Sequence, residues 1–248
     1  PTLAVSGTAR GEMRVWSLSS MPTCPWDAED DETWGDMATP GGVHDTTTPI
    51  RVPCVETRLL TTPETGQPHA QFFDVSPRGS SGDGGFGSVA TAGAEHGAGV
   101  HVYDSNRWGA AVVRVPGFDA GVYGVSWGRG GQGYDEHVVH AACSDGIVRR
   151  WDVRAPGQGA RLDSASVGES TGRNRRVARC VDADGGLFTF GSAAGGFHVH
   201  DARVPRTPLA TPRRVHSDCV NAVAIDARLG RVVSGGDDCQ VAIQRLPL

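Results

Sequence analysis

The chain has 248 residues, of which 38% are hydrophobic, and this is enough for one large domain with a sizeable core. No stretch approaches the roughly 18 consecutive apolar residues of a membrane span, and the net charge of −5 argues against a surface built mainly for nucleic acid. The 35 glycines and 15 prolines favour many short elements joined by turns, so we expect an all-β fold.

Five stretches along the chain share one plan: a strand rich in small residues, a turn of Gly, Ala or Asp, and an alternating strand. In chain order they are LAVSGTARGEMRVWSL (3–18), SVATAGAEHGAGVHVYDSN (88–106), VVHAACSDGIVRRWDVR (138–154), LFTFGSAAGGFHVHDAR (187–203) and RVVSGGDDCQVAIQRL (231–246). Each stretch predicts a β-hairpin. Aligned on the last aromatic position, the copies give Trp16, Tyr103, Trp151, His200 and Gln244, spaced by 87, 48, 49 and 44 residues.

Further strand-like segments lie between the hairpins. Inner strands are predicted at 70–79, 121–128, 175–186 and 220–230, and AAVVRVP (110–116) predicts an outer strand, which completes four strands per unit. The gap between the first two units, 19–65, predicts an insertion rich in acidic residues and proline, or else a degenerate unit. It contains DAEDDETWGD (27–36), in which six of ten residues are acidic, typical of a solvated or flexible segment.

With this pattern the chain resembles the WD-repeat β-propeller family, whose repeat is about 40 to 45 residues long and whose blade is a four-stranded sheet. The resemblance covers residues 70–248 best. It implies a single propeller domain over 1–248, with about five blades in these residues and seven in the complete protein. It also implies that a segment upstream of Pro1 supplies the strands that close the ring.

In this family a loop His, a strand Ser or Thr, a turn Asp and a strand Trp form a hydrogen-bonded tetrad that holds the blade together. The last unit has three of these four residues, with Gln244 in place of the Trp, and no unit is complete. The resemblance implies structural roles for the matching residues, which are His216, Ser234, Asp238, Asp145, Trp151 and Trp16.

Three motifs match the patterns of catalytic, phosphate-binding or metal-binding sites, but they lack the structural context that such sites require. GVSWG (124–128) matches the nucleophile elbow around Ser126, yet it lies inside an alternating strand without a following helix. GDGGFG (82–87) precedes a strand instead of following one, so it does not cradle phosphate. His198 and His200 share a strand face but have no third ligand at a metal-binding spacing. We therefore predict no catalytic residue, no metal and no cofactor.

All 23 cationic residues are arginine, and two groups of them precede inner strands, in loops that propellers gather on one face. These groups are solvated arginines or a basic patch for an acidic partner surface. Exposed Trp and Arg are favoured anchors at protein interfaces. The candidate partner-binding residues are therefore Arg173, Arg175, Arg176, Arg213 and Arg214, together with Trp26 and Trp34 of the acidic segment.

WDVR (151–154) also resembles the Trp-Asp-x-Arg box of propellers that serve as substrate receptors of cullin ubiquitin ligases, in which the residue matching Arg154 contacts the adaptor. HDAR (200–203) keeps only Asp201 and Arg203 of that box.

These observations favour a non-catalytic scaffold that binds other protein subunits of an assembly, without membrane insertion or direct contact with nucleic acid. The six cysteines are widely spaced and never form Cys-x-x-Cys, which favours reduced thiols in the cytoplasm or nucleus. A ligase receptor and a propeller-fold esterase remain the alternatives.

Overall fold

The computed structural model describes residues 3–7, 12–17, 54–59, 72–79, 86–93, 99–104, 111–115, 120–129, 136–155, 161–166, 177–209 and 213–246. The protein is all-β, and no helix occurs within these ranges. The strands are β1 Leu3–Gly7, β2 Glu12–Ser17, β3 Cys54–Leu59, β4 Phe72–Gly79, β5 Phe86–Gly93, β6 Val100–Asp104, β7 Ala111–Val115, β8 Val122–Arg129, β9 Val138–Cys143, β10 Ile147–Asp152, β11 Arg161–Ser166, β12 Ala178–Asp184, β13 Leu187–Ser192, β14 Gly196–Asp201, β15 Arg213–Arg214, β16 Val220–Asp226, β17 Arg231–Gly236 and β18 Val241–Arg245.

The strands form five antiparallel meanders, which we call the first to fifth sheets. They consist of β1–β3, β4–β7, β8–β11, β12–β15 and β16–β18. The third and fourth sheets are joined by a short parallel pairing of β12 with β8, in which Ala183 lies opposite Gly128. The leading strands β4, β8, β12 and β16 neighbour one another in chain order, which gives a propeller-like arrangement.

All five predicted hairpins are confirmed as antiparallel strand pairs. Each forms because alternating residues on both sides of a short turn let one face of the strand pair be buried. The predicted inner and outer strands are found as β4, β8, β12, β16 and β7. Within 19–65, β3 pairs with β2, so residues 54–59 belong to the first sheet and not to an insertion. Residues 19–53 and 60–65 lie outside the described ranges.

The core is built by packing each sheet on the next. Val100 and Val102 of the second sheet cluster with Val122 and Trp127 of the third. Val148 of the third sheet clusters with Phe188 and Phe190 of the fourth, and Phe197 and Val199 of the fourth cluster with Ile225 and Val232 of the fifth. Full burial of such side chains stabilises the fold by about 1.5 to 3 kcal/mol each. Equivalent positions of successive hairpins, on the outward face that packs against the following sheet, therefore form the joints between sheets.

The joint between the third and fourth sheets contains buried imidazole rings beside phenylalanines. The ring of Phe188 lies 5.3 Å from that of His140 on β9 and 5.3 Å from that of His200 on β14. Arg150 on β10 places its guanidinium carbon 5.4 Å from the centre of the Phe188 ring. His140 is completely buried, and no side-chain hydrogen bond of good geometry reaches its ring or that of His200 within the described residues.

Candidate functional site

A depression in the surface lies where the first strands of the sheets end and their second strands begin. We call this side of the third, fourth and fifth sheets the AB face. It holds an open depression of about 730 Å³. The lining residues are Arg129, Asp184, Gly185, Ile225, Asp226, Ala227 and Arg228.

Asp182 on β12 fixes the floor of this face by joining three sheets. Its Oδ1 accepts a hydrogen bond from Ser126 Oγ of the third sheet at 3.1 Å. Its Oδ2 accepts Arg129 Nη2 at 2.5 Å and the backbone N–H of Ile225, in the fifth sheet, at 2.9 Å. A carboxylate with three donors from two neighbouring sheets holds those sheets in register.

Two further carboxylates stiffen the turns around the depression. Asp184 Oδ2 accepts the backbone N–H of Ala227 at 2.8 Å, which ties the fourth sheet to the fifth. Asp226 Oδ1 accepts the N–H of Leu229 at 2.8 Å within the turn itself. Arg228 is exposed, and its guanidinium makes no hydrogen bond or ion pair with any residue that the structure describes. Hydrogen bonds therefore fasten the rim of the depression, and Arg228 is left unpaired among the described side chains.

Arg154 and Arg203 occupy equivalent positions on the same side of consecutive sheets, each two residues after an aspartate that ends a strand. Arg154 donates to Asp152 from Nε at 2.9 Å and from Nη2 at 2.6 Å, and Arg203 donates to Asp201 at 3.0 and 2.7 Å. These bonds lower the pKa of each aspartate. The two arginine side chains remain 57% and 84% exposed, so both present a fixed guanidinium to solvent.

On the opposite side, which we call the BC face, the structure brings His216, Ser234 and Asp238 together. His216 Nδ1 lies 2.9 Å from Asp238 Oδ1, and its Nε2 lies 2.9 Å from Ser234 Oγ. The contact with His216 is the largest cause that lowers the pKa of Asp238. Gly236 allows this approach, since a Cβ there would lie 2.8 Å from His216 Nδ1. The network fastens the loop before β16 to the β17–β18 turn.

The other tetrad-like residues are not assembled in this way. Asp145 accepts two hydrogen bonds from Arg149, at 3.0 and 2.6 Å, and one from the N–H of Ile147 at 3.1 Å. Trp151 is buried in the core between the second and third sheets. Trp16 lies on β2 opposite Ala4, and its side chain lies outside the described part.

Ser126 lies within strand β8, with only 5% of its surface exposed. Its hydroxyl donates to Asp182 and to the carbonyl oxygen of Trp127, both at 3.1 Å. His140 stands opposite it in the strand register, but neither ring nitrogen of His140 is hydrogen-bonded to a described side chain. These contacts tie Ser126 to its own strand and to the fourth sheet.

The structure describes only some residues of the predicted basic patch. Arg214 donates to the carbonyl oxygens of His216 at 3.2 Å and Ser217 at 2.7 Å, so it braces the BC face. Arg213 pairs with Phe197 in the backbone register, and its side chain is not described. The candidates outside the described ranges are Arg173, Arg175, Arg176, Trp26 and Trp34.

The two motif histidines, His198 and His200, lie on β14 with ring centres 6.4 Å apart. No metal-binding group of three His, Cys, Asp or Glu side chains occurs among the described residues. Phe86 of the GDGGFG motif begins β5, and residues 82–85 are outside the description. Within the described ranges, no helix has the length and apolar character that crossing a membrane requires.

No protein-family model matches the chain, and no curated protein matches it either. Among solved structures, the chain is similar to the computationally designed Ika4 protein, with 18% identity, a TM-score of 0.53 and coverage of 76% of this chain and 98% of that one. It also matches a chain in the crystal structure of the mitotic checkpoint complex, with 21% identity, a TM-score of 0.49 and coverage of 64% of this chain but only 44% of that one. The similarity to Ika4 is one of fold alone.

Proposed function

We propose that this chain is a non-catalytic WD-type β-propeller that serves as a scaffold and binds other proteins through its AB face. The observation that carries the proposal is the depression rimmed by the fastened turns 184–187 and 226–230, where Arg228 is exposed and has no partner within the described ranges. Binding residues on loops held by a rigid sheet scaffold are the usual way in which such folds recognise partners.

The propeller assignment is supported by one kind of contact between neighbouring sheets that recurs along the chain. The outward face of the second, third and fourth sheets packs on the next sheet through equivalent hairpin positions, which are Val100, Val148 and Phe197. The equivalent residue of the fifth sheet, Val241, is 74% exposed. A closed ring would cover this face with a further sheet.

The free cysteine thiols are the basis on which we propose an intracellular location. Cys143, Cys180, Cys219 and Cys239, the cysteines whose side chains the structure describes, are free, and three of them are buried. Free thiols of this kind are typical of a reducing compartment.

Affinity capture from native extract, with stoichiometry measured by mass spectrometry, tests the scaffold proposal. Wild-type protein is compared with Arg228→Glu on the AB face and with Arg214→Glu on the BC face as the matched control. We expect a partner retained by wild type and by the control, and reduced at least fivefold with Arg228→Glu. Capture of the same proteins by all three, or no stoichiometric partner, would contradict the proposal.

A second candidate function is that of a ligase substrate receptor. The observation that favours it is the bidentate Asp152–Arg154 pair, which holds a 57% exposed Arg154 side chain three residues after Trp151. Arg154→Ala is expected to abolish adaptor binding in this case, while Arg203→Ala, which removes an equivalent guanidinium from the next sheet, leaves it unchanged. Adaptor binding that survives Arg154→Ala removes this candidate.

A further inference from the structure

Two adjacent residues of β12 reach the fifth sheet near the BC face. The register of β12 with β13 shifts just before Cys180, which lies opposite Gly191, so Arg179 is an additional residue in β12. An additional residue of this kind bends the strand and redirects neighbouring side chains. The side chains of Arg179 and Cys180 accordingly both contact residues at the start of the fifth sheet.

The thiols of Cys180 and Cys219 meet at one carbonyl oxygen. The Sγ atom of Cys180 lies 3.6 Å from the oxygen of Val220, and the Sγ atom of Cys219 lies 3.8 Å from the same oxygen. The distance between the two sulfurs therefore cannot exceed the sum of these two distances. The fold thus places two buried thiols, one from each of two sheets, beside each other.

A guanidinium group lies against one of these thiols. Arg179 donates a hydrogen bond from Nε to the Sγ atom of Cys219 at 3.3 Å, and this contact is the largest cause that raises the pKa of Arg179. The guanidinium carbon also lies 5.1 Å from the centre of the Tyr123 ring, which helps to hold it in place. A cation beside a sulfur favours the thiolate, the form of cysteine that attacks oxidants. The contact therefore marks Cys219 as the attacking thiol.

Cys219 lies directly below the surface of the BC face. Its sequence neighbour Asp218 is exposed, as is Asn221, whose Oδ1 lies 3.5 Å from the Cys219 sulfur. The two thiols lie between the fourth and fifth sheets, and not on the face of the fifth sheet that a further sheet would cover. A small polar oxidant therefore needs only a local opening of the loop before β16 to reach Cys219.

We propose that Cys219 and Cys180 form a redox pair, in which hydrogen peroxide oxidises Cys219 and Cys180 then closes a disulfide bond between the fourth and fifth sheets. The bond would join the loop before β16, which carries His216, to strand β12. This inference goes beyond the proposed scaffold function and does not depend on it. In a reducing compartment, disulfides are usually transient bonds of this redox-sensing kind.

The oxidation takes place in two balanced steps. In the first, the thiolate of Cys219 attacks one oxygen of hydrogen peroxide. An S–O bond forms, the O–O bond breaks, and the departing hydroxide becomes water by taking up the proton that the thiol released. In the second, the sulfur of Cys180 attacks the Cys219 sulfur, the S–O bond breaks, and the hydroxyl group leaves as water with the proton of Cys180. In total, the two thiols lose two protons and two electrons, and one peroxide molecule becomes two molecules of water.

Peptide mapping of oxidised wild-type protein tests the proposal. The protein is treated with hydrogen peroxide, the remaining thiols are alkylated, and the unreduced chain is digested with trypsin, which cleaves after arginine. The two cysteines then lie in separate peptides, 180–203 and 215–228, and each peptide contains no other cysteine. We expect mass spectrometry to find these two peptides joined by a disulfide, and dithiothreitol to separate them.

Variants assign the order of the two steps. In Cys180→Ser the sulfenic acid of Cys219 should persist, so that dimedone labels it there, whereas in Cys219→Ser the thiol of Cys180 should stay reduced. Arg179→Gln should slow the oxidation of Cys219 about fivefold, because it removes the cation beside the sulfur. The matched control is Arg154→Gln, which removes a half-exposed arginine far from the thiols and should leave the rate unchanged.

The wild-type map decides the proposal even where a variant fails to fold. Peptides 180–203 and 215–228 that stay separate, with Cys180 still open to alkylation, would overturn it. A disulfide between two copies of the chain through the exposed Cys239 in place of the internal bond would overturn it as well. Equal oxidation of Cys143, a buried thiol of the third sheet, would show that peroxide does not select this pair, and would contradict the proposal in the same way.

Discussion

The carboxylate of Asp182 on β12 accepts the backbone N–H of Ile225 on β16 at 2.9 Å, across a sequence distance of 43 residues. The same side chain also accepts the Ser126 hydroxyl from β8, so one aspartate connects three sheets at the floor of the AB face. A surface between sheets can bind a partner reproducibly only if the sheets are held in register, and Asp182 provides this.

Asp182→Asn is expected to lower the free energy of unfolding by about 2 to 4 kcal/mol, because buried donors lose a charged acceptor and Arg129 loses its partner. Chemical denaturation measures this change. Asp184→Asn is the matched control: among the described residues the Asp184 carboxylate accepts one hydrogen bond, from the N–H of Ala227, so we expect a loss of about 1 kcal/mol. Equal losses in the two variants would show that Asp182 has no special role.

Gly236→Ala is expected to destabilise the fifth sheet by about 1 to 3 kcal/mol. The added Cβ would lie 2.8 Å from His216 Nδ1 and 3.0 Å from Asp238 Oδ1, so the His216 network must shift. Gly235→Ala, one residue earlier, meets nothing within 4 Å and should change stability by less than about 0.5 kcal/mol. Thermal unfolding of the two variants side by side measures the difference, and a neutral Gly236→Ala would refute the packing argument.

Acid should weaken the joint between the third and fourth sheets. Burial is the main cause that lowers the pKa of His140 to about 3 and those of His198 and His200 to about 4, and Arg150 further lowers that of His140. Unfolded histidine titrates near 6.5, so the unfolded chain binds more protons below that pH. The stability from the neutral rings is complete above about pH 6.5 and falls as the pH drops toward 4. Lowering the pH from about 7.5 to about 5 reduces the free energy of unfolding by on the order of 2 kcal/mol for each buried ring.

Urea denaturation at several pH values tests this prediction. Replacing His200 by Trp, the residue at the equivalent position of the third sheet, should flatten the decline in stability between pH 7 and pH 5. The control is Gln244→Trp, which places the same side chain at the equivalent position of the fifth sheet without removing a histidine and should leave the pH dependence of wild type intact. A His200→Trp variant with the full wild-type pH dependence would show that the buried ring does not couple folding to protonation.

The hairpins could be predicted from sequence because their alternation and turn residues are local signals. The AB face could not, because its contacts join residues far apart: Arg129 meets Asp182 across 53 residues, and Asp184 meets Ala227 across 43. The weak local signal is the presence of aspartates at or near the ends of inner strands, at Asp182, Asp184 and Asp226. The tetrad pattern located His216, Ser234 and Asp238 because it specifies positions within one repeat. The pattern also selected Asp145, but it did not indicate its partner, which is Arg149 four residues later.

Cross-linking mass spectrometry of the protein bound to its captured partner tests most directly whether the AB face docks proteins. The chain has no lysine, so the reagent must couple carboxylates. Glu136 and Asp226 mark the AB face, while Asp218 and Asp237, both exposed, mark the BC face. We expect cross-links to the partner at Glu136 and Asp226. Cross-links concentrated at Asp218 and Asp237 would contradict the assignment.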